Sequence, residues 1–81
     1  MQVSVQFYSY FKDLTGCSQT TVTLDDGCRL DDLVGQLSRT FPKWAAMQKS
    51  TLIAVGVEYQ GRDYELKPGD EVSLFPPVQG G

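Results

Sequence analysis

An α+β fold, with a mixed sheet of about five strands and one main helix packed across it, is predicted by three features of this 81-residue chain. Residues 2–7 alternate polar and apolar without a break (Gln2, Val3, Ser4, Val5, Gln6, Phe7), the period of a strand with one face on a core. Residues 30–41 place Leu30, Leu33, Val34, Leu37 and Phe41 at helical spacing on one side, and such a stripe needs a sheet to lie on. After the helix, three short strand-like runs are separated by glycine and proline turn signals. A chain of this length is one domain near the lower end of what folds on a single apolar core, with little room for a buried active site.

Each element has a local cause. Val3, Val5 and Phe7 are the inward residues of the first strand. Residues 8–14 lose the alternation and carry several aromatics, then Thr15-Gly16 signals a turn, so a wide connection with a short helical turn is expected. A second strand over residues 19–24 is rich in threonine and valine, with Thr20, Val22 and Leu24 on one face, and Asp25-Asp26-Gly27 closes it. Asp31 and Asp32 sit in the first turn of the helix, where they favour its dipole, and Pro42 ends it because the residue before a proline avoids the α region. Neither Cys28 nor Arg29 is a good side-chain N-cap, and Gly35 in the interior costs about 1 kcal/mol relative to alanine. Packing therefore has to hold this helix. Trp44 and Met47 are expected over the end of the core.

Residues 51–57 are apolar enough for a buried strand, with Ile53 and Val55 on one face and Leu52 and Ala54 on the other. Gly56-Val57 serves as a two-residue turn into a short strand at residues 58–60. Lys67-Pro68-Gly69-Asp70 reads as a turn with proline at the second position and glycine where φ must be positive, leading to the last strand at residues 71–75. A right-handed crossover through the helix makes the first and last strands parallel neighbours. Hairpin, helix and three further strands in this order form the β-grasp arrangement of ubiquitin-like proteins.

Composition restricts the chemistry. The formal net charge of −3 counts against nucleic acid as a partner. No apolar run approaches membrane-spanning length and the first residues do not read as a secretory signal, so a cytoplasmic location is the expectation. Cys17 and Cys28 then read as reduced thiols. The chain has no histidine, which removes the commonest general base and metal ligand, and no metal site is expected. The acidic pairs Asp25-Asp26, Asp31-Asp32 and Asp70-Glu71 each have an ordinary place in a turn or at a helix start.

The last seven residues, Phe75-Pro76-Pro77-Val78-Gln79-Gly80-Gly81, carry the strongest functional signal. The prolines cannot donate ladder hydrogen bonds and stop the strand, dividing the chain into a folded domain at 1–75 and a flexible C-terminal tail at 76–81. Extended, those six residues span roughly 20 Å. Without Cβ atoms, Gly80 and Gly81 can pass through a channel too narrow for other residues. Strict alternation turns Phe75 away from the face shared by Val72 and Leu74. There a partner surface is its natural cover, with packing over the sheet edge, on Trp44 or on Tyr8 as the alternative.

Over its whole length the sequence resembles the MoaD-type small subunits of molybdopterin synthase, which are ubiquitin-like sulfur carriers. The likeness runs through Phe7 to Leu14-Thr15-Gly16, Leu33 and Leu37, Pro68-Gly69-Asp70-Glu71-Val72 and, most specifically, the ending Pro76-Pro77-Val78-Gln79-Gly80-Gly81. It departs at Gly56-Val57, where members tend to have Asn-Gly. The resemblance implies that a ubiquitin-activating-type enzyme adenylates the Gly81 carboxylate with ATP. A sulfur donor such as a persulfide protein then converts it to a thiocarboxylate. The large synthase subunit takes up the tail, with Phe75, Pro76, Pro77, Val78 and Gly80 as partner-binding residues, and sulfur passes to the pterin precursor of molybdenum cofactor. On this reading the chain is a subunit and cosubstrate that binds no cofactor of its own. The alternatives are a carrier for thiazole, cysteine or thio-tRNA synthesis, or a ubiquitin-like modifier or binding module.

Overall fold

The computed structural model describes residues 1–77. The chain forms β1 (Gln2–Phe7), α1 (Phe11–Thr15), β2 (Gln19–Thr23), α2 (Leu30–Thr40), α3 (Pro42–Ala45), a 3₁₀ turn (Gln48–Ser50), β3 (Leu52–Val55), β4 (Glu58–Tyr59) and β5 (Glu71–Phe75). The five strands make one mixed sheet in the order β2-β1-β5-β3-β4. β1 pairs antiparallel with β2 and parallel with β5, and β5 pairs antiparallel with β3. This is the β-grasp fold, with the parallel first and last strands that a helical crossover requires.

One face of the sheet carries the core. Val3, Val5 and Phe7 of β1, Val22 of β2, Ile53 of β3 and Val72 and Leu74 of β5 are buried against Leu30, Leu33, Val34 and Leu37 of α2. The end of this layer is closed by Phe11 and Trp44, both completely buried, whose rings meet edge to face at 6.2 Å. Met47 packs at the margin. Pro42 ends α2 and also begins α3, where its fixed φ and missing N–H suit a first helical position. Phe41, between the two helices, leaves the α conformation and puts its ring 5.5 Å from that of Phe7.

The start of α2 resolves the lack of a side-chain cap. The Leu30 and Asp31 N–H groups donate to the carbonyls of Tyr64 and Arg62, both at 2.9 Å, and Leu66 N–H donates to Cys28 O at 2.9 Å. The first orphan donors of the helix are thus satisfied by a segment more than thirty residues away, a distance that local sequence cannot announce. Asp32 adds a local contact, its carboxylate accepting from Arg29 N–H at 2.8 Å. Arg62 ties the same corner, donating to the Asp31 carboxylate and to the backbone and side chain of Gln48.

The turns follow the sequence. Asp70 N–H donates to Lys67 O at 3.0 Å across Pro68-Gly69, with Gly69 at φ 82°. Gly56 has φ 62° between the paired Val55 and Glu58, so it takes the left-handed first position of a two-residue hairpin. One strand differs from expectation. On the side of β3 away from α2 the cover is uneven, since Ala54 is buried but Leu52 is 37% exposed. The apolar run 52–55 is therefore buried on both faces only at its middle, and its first residue contributes to an apolar open surface. No helix among the described residues is long and apolar enough to cross a membrane.

The capping geometry yields a quantitative expectation. Asp32→Ala, which removes the carboxylate from the Arg29 N–H but leaves the distant carbonyls in place, should lower unfolding free energy by about 1 kcal/mol. A urea titration checks it, with the midpoint falling and the slope unchanged.

Candidate functional site

The open face of the sheet is unequal along its length. Toward β2 and the start of β1 it carries Gln2, Ser4, Thr21 and Thr23, while toward the end of β5 it becomes apolar. β5 lies between β1 and β3, so Phe75 emerges in the middle of the sheet with Leu52 directly opposite on β3. Phe75 is half-buried and turned to the open face, as alternation from the buried Val72 and Leu74 requires. Tyr8 stacks on it with ring centroids 4.5 Å apart and planes 15° from parallel, and Tyr59 of β4 approaches edge-on at 6.4 Å. Trp44 is not its neighbour, being enclosed in the core.

These side chains line a groove of about 340 Å³ whose walls also include Ser9 and Tyr10 and which Pro76 and Pro77 extend. The prolines carry no ladder hydrogen bonds and rest half-buried along this groove. Of the expected partner-binding residues, the fold thus brings together Phe75, Pro76 and Pro77. Val78, Gly80 and Gly81, the last expected to carry the sulfur, lie outside the described residues.

The groove has a rigid floor and one strained edge. Tyr8 N–H continues the pairing of β1 by donating to Leu74 O at 3.2 Å, and the Tyr8 hydroxyl donates to Gln6, whose amide donates to Glu71 at 2.6 Å. Ser9 then adopts φ 57°, the left-handed conformation that costs a non-glycine residue about 1 kcal/mol. That turn sends the chain into α1 and leaves Tyr8 and Tyr10 both 39% exposed beside the exit of β5. With Leu52 and Tyr59, which is 69% exposed, they form an apolar surface rimmed by polar groups, the character of an interaction site. Tyr8 was among the packing alternatives expected for Phe75 and is the one the structure selects, whereas Leu52 and Tyr59 were not legible as site residues from their own surroundings. The available signal was register: once β3 and β5 are neighbours, Leu52 and the β4 hairpin must flank Phe75.

Stacked aromatic pairs are worth roughly 0.5–1.5 kcal/mol beyond their buried area. A double-mutant cycle with Tyr8→Ala and Phe75→Ala, read by chemical denaturation, should therefore give a coupling of about 1 kcal/mol. Strict additivity would show that the pair is held by the backbone alone.

Residues 5–81 match the ThiS family. The molybdopterin synthase sulfur carrier subunit of Chlamydomonas reinhardtii is 34% identical, with the alignment covering all of both chains. The putative molybdopterin converting factor, subunit 1, from Pyrococcus furiosus superposes with a TM-score of 0.88 at 30% identity, over 96% of this chain and 99% of that one. A protein–protein complex of subunits 1 and 2 of molybdopterin-converting factor from Helicobacter pylori contains a chain that is similar at TM-score 0.73 and 26% identity, over the full length of both. With the family matched over all but its first four residues and full-length relatives of this kind, the chain belongs to the ThiS family and is MoaD-like within it.

Proposed function

We propose that this protein is the sulfur carrier subunit of a molybdopterin synthase, working in the cytoplasm, and that the carboxylate of Gly81 is the group that carries sulfur. The observation that supports this most directly is the placement of β5. The central strand of the sheet runs straight into Phe75-Pro76-Pro77 beside an exposed apolar groove, so a partner can grip the domain and receive the tail in one docking event. The full-length similarity to sulfur carrier subunits, and to a chain solved in complex with a second subunit, supports the same assignment.

A carboxylate at pH 7 is an anion, with an ordinary pKa near 3.5 for a chain terminus, and is a poor electrophile. Activation comes from a separate adenylating enzyme. That enzyme transfers AMP from ATP to the Gly81 carboxylate and releases pyrophosphate. A persulfide donor attacks the acyl adenylate through its terminal sulfur and expels AMP. A thiol then reduces the acyl disulfide and leaves the thiocarboxylate. No side chain of this protein has to act as nucleophile or base in these steps, and the protein binds no cofactor of its own. Phe75, Pro76, Pro77, Val78 and Gly80 serve as recognition: the aromatic and prolines on the large subunit's surface, the glycine in its narrow channel. Pre-positioning of the exit strand lowers the ordering cost of that docking.

Incubated with an adenylating enzyme, ATP, a persulfide donor and a thiol, the protein should gain the mass of one oxygen-to-sulfur exchange at Gly81. The Cys17→Ser/Cys28→Ser variant should gain it equally, and deletion of Gly81 should prevent it. Retention of sulfur by the folded deletion variant, or its loss in the cysteine variant, would place the carried sulfur on a thiol.

Phe75→Ala tests the docking surface separately. It should weaken binding to the large synthase subunit by roughly 2 kcal/mol or more, as loss of a buried interface aromatic does. Calorimetric titration at matched folded fractions reads the affinity. Unchanged affinity would remove Phe75 from the interface.

A further inference from the structure

A second surface lies on the opposite side of the molecule from the tail groove, where the sheet ends. β2 is an edge strand. Phe7 N–H donates to Ser18 O and Leu24 N–H to Met1 O, both at 2.9 Å, which fixes the parity of the β1–β2 ladder. Thr20 and Val22 exchange their bonds with β1, and Gln19, Thr21 and Thr23 turn their N–H and C=O groups outward. The strand, Gln-Thr-Thr-Val-Thr, has neither a charged residue nor a proline to discourage pairing of that edge.

Beside this edge runs a groove of about 400 Å³ between the end of β2 and α2. Gly35, the residue that weakens the helix, forms part of its wall. A Cβ there would meet only the Arg39 guanidinium, at 3.8 Å, so close packing within the fold does not demand a glycine. What the missing side chain provides is open space toward the β2 edge. The charges at the groove are uneven: Asp25, Asp31 and Asp32 lie at the end where α2 begins, and Arg39 lies a little more than two turns further along the helix. Asp31 uses one carboxylate oxygen for Arg62, and Asp32 uses one for the Arg29 N–H.

We propose that the outer edge of β2 and this groove form a docking site for an extended, basic peptide segment of another protein. The segment adds to the sheet through Thr21 and Thr23. Alternate side chains of an added strand fall on the α2 side of the sheet and enter the space above Gly35, and a lysine or arginine at the end near Asp25 meets the carboxylates. A second copy of this chain is a poorer occupant. Paired antiparallel about a two-fold axis, it would set its uncharged residues 16–20 against the Asp25 end and leave the carboxylates without a basic partner. This site is separate from the tail groove and does not depend on the sulfur-carrier reading.

The test uses the full ¹⁵N-labelled chain and a synthetic peptide of alternating lysine and valine, capped at both ends. Amide shifts should concentrate at Thr21, Thr23 and Gly35, and exchange of the Thr21 and Thr23 amides should slow. Replacing lysine by glutamate in the peptide should weaken binding by roughly tenfold or more through charge reversal. Gly35→Met, which fills the groove, should weaken it by a similar factor, roughly tenfold, with an unfolding midpoint no lower than that of the parent. Thr21→Pro should abolish the edge pairing through loss of its outward N–H. Equal affinity for the glutamate peptide, shifts centred on Tyr8, Tyr59 and Phe75, indifference to Gly35→Met, or no binding at millimolar peptide would each overturn the proposal. Protection of Thr21 and Thr23 that rises with protein concentration in the absence of peptide would assign the edge to a second copy instead.

Discussion

β5 is hydrogen-bonded on both sides, parallel to β1 and antiparallel to β3, and the rest of the structure depends on that pairing. A strand in the middle of a sheet cannot fray without breaking two ladders, so the backbone is fixed as far as Phe75. The side chains on its inner face, Val72 and Leu74, are completely buried under α2, which locks the register as well as the position. A one-residue slip would turn both to solvent and bring Ser73 into the core. The direction in which the chain leaves the sheet is therefore a property of the whole core and not of the residues that follow.

Parallel pairing of the first and last strands requires everything between them to act as a crossover, and α2 is its principal part. That helix begins without a side-chain N-cap and contains a glycine, so its intrinsic stability is low. The fold supplies what the helix lacks. Carbonyls of Arg62 and Tyr64 satisfy its first N–H groups, and the Arg62 side chain draws Asp31 and Gln48 to the same corner. Residues 61–66, irregular in form, are thus a clasp between the helix start and the turn that feeds β5.

The two faces of the sheet divide the labour. One is covered by α2, Phe11 and Trp44 and provides the stability. The other is left open, apolar around Tyr8, Leu52, Tyr59 and Phe75, and polar toward β2. Phe75 belongs partly to both descriptions: its ring stacks on Tyr8 and so is not wholly wet, yet the pair together remains half-exposed beside Pro76 and Pro77. Self-packing of this kind holds the aromatic ready in one orientation, which reduces what must be ordered when a surface docks on it.

Much of this was written locally in the chain. Strict alternation over residues 2–7, the helical stripe from Leu30 to Leu37, Pro42 as a stop, and the glycine turns at Gly56 and Gly69 each act through neighbours within a few residues, so the sequence alone determined the strands, the main helix, their order and the β-grasp fold, but not the short helix at Pro42–Ala45 or the 3₁₀ turn at Gln48–Ser50. The Gly-Gly ending and the two prolines likewise needed no structure to be noticed. The capping of α2 by Tyr64 and Arg62, the exposure of Leu52 on an otherwise core strand, and the gathering of Tyr8 and Tyr59 around Phe75 were decided only by tertiary structure. Each joins residues at least sixteen apart in the chain through strand register or crossover geometry. No short-range pattern encodes such a meeting, because it comes into being only when β5 takes its place between β1 and β3.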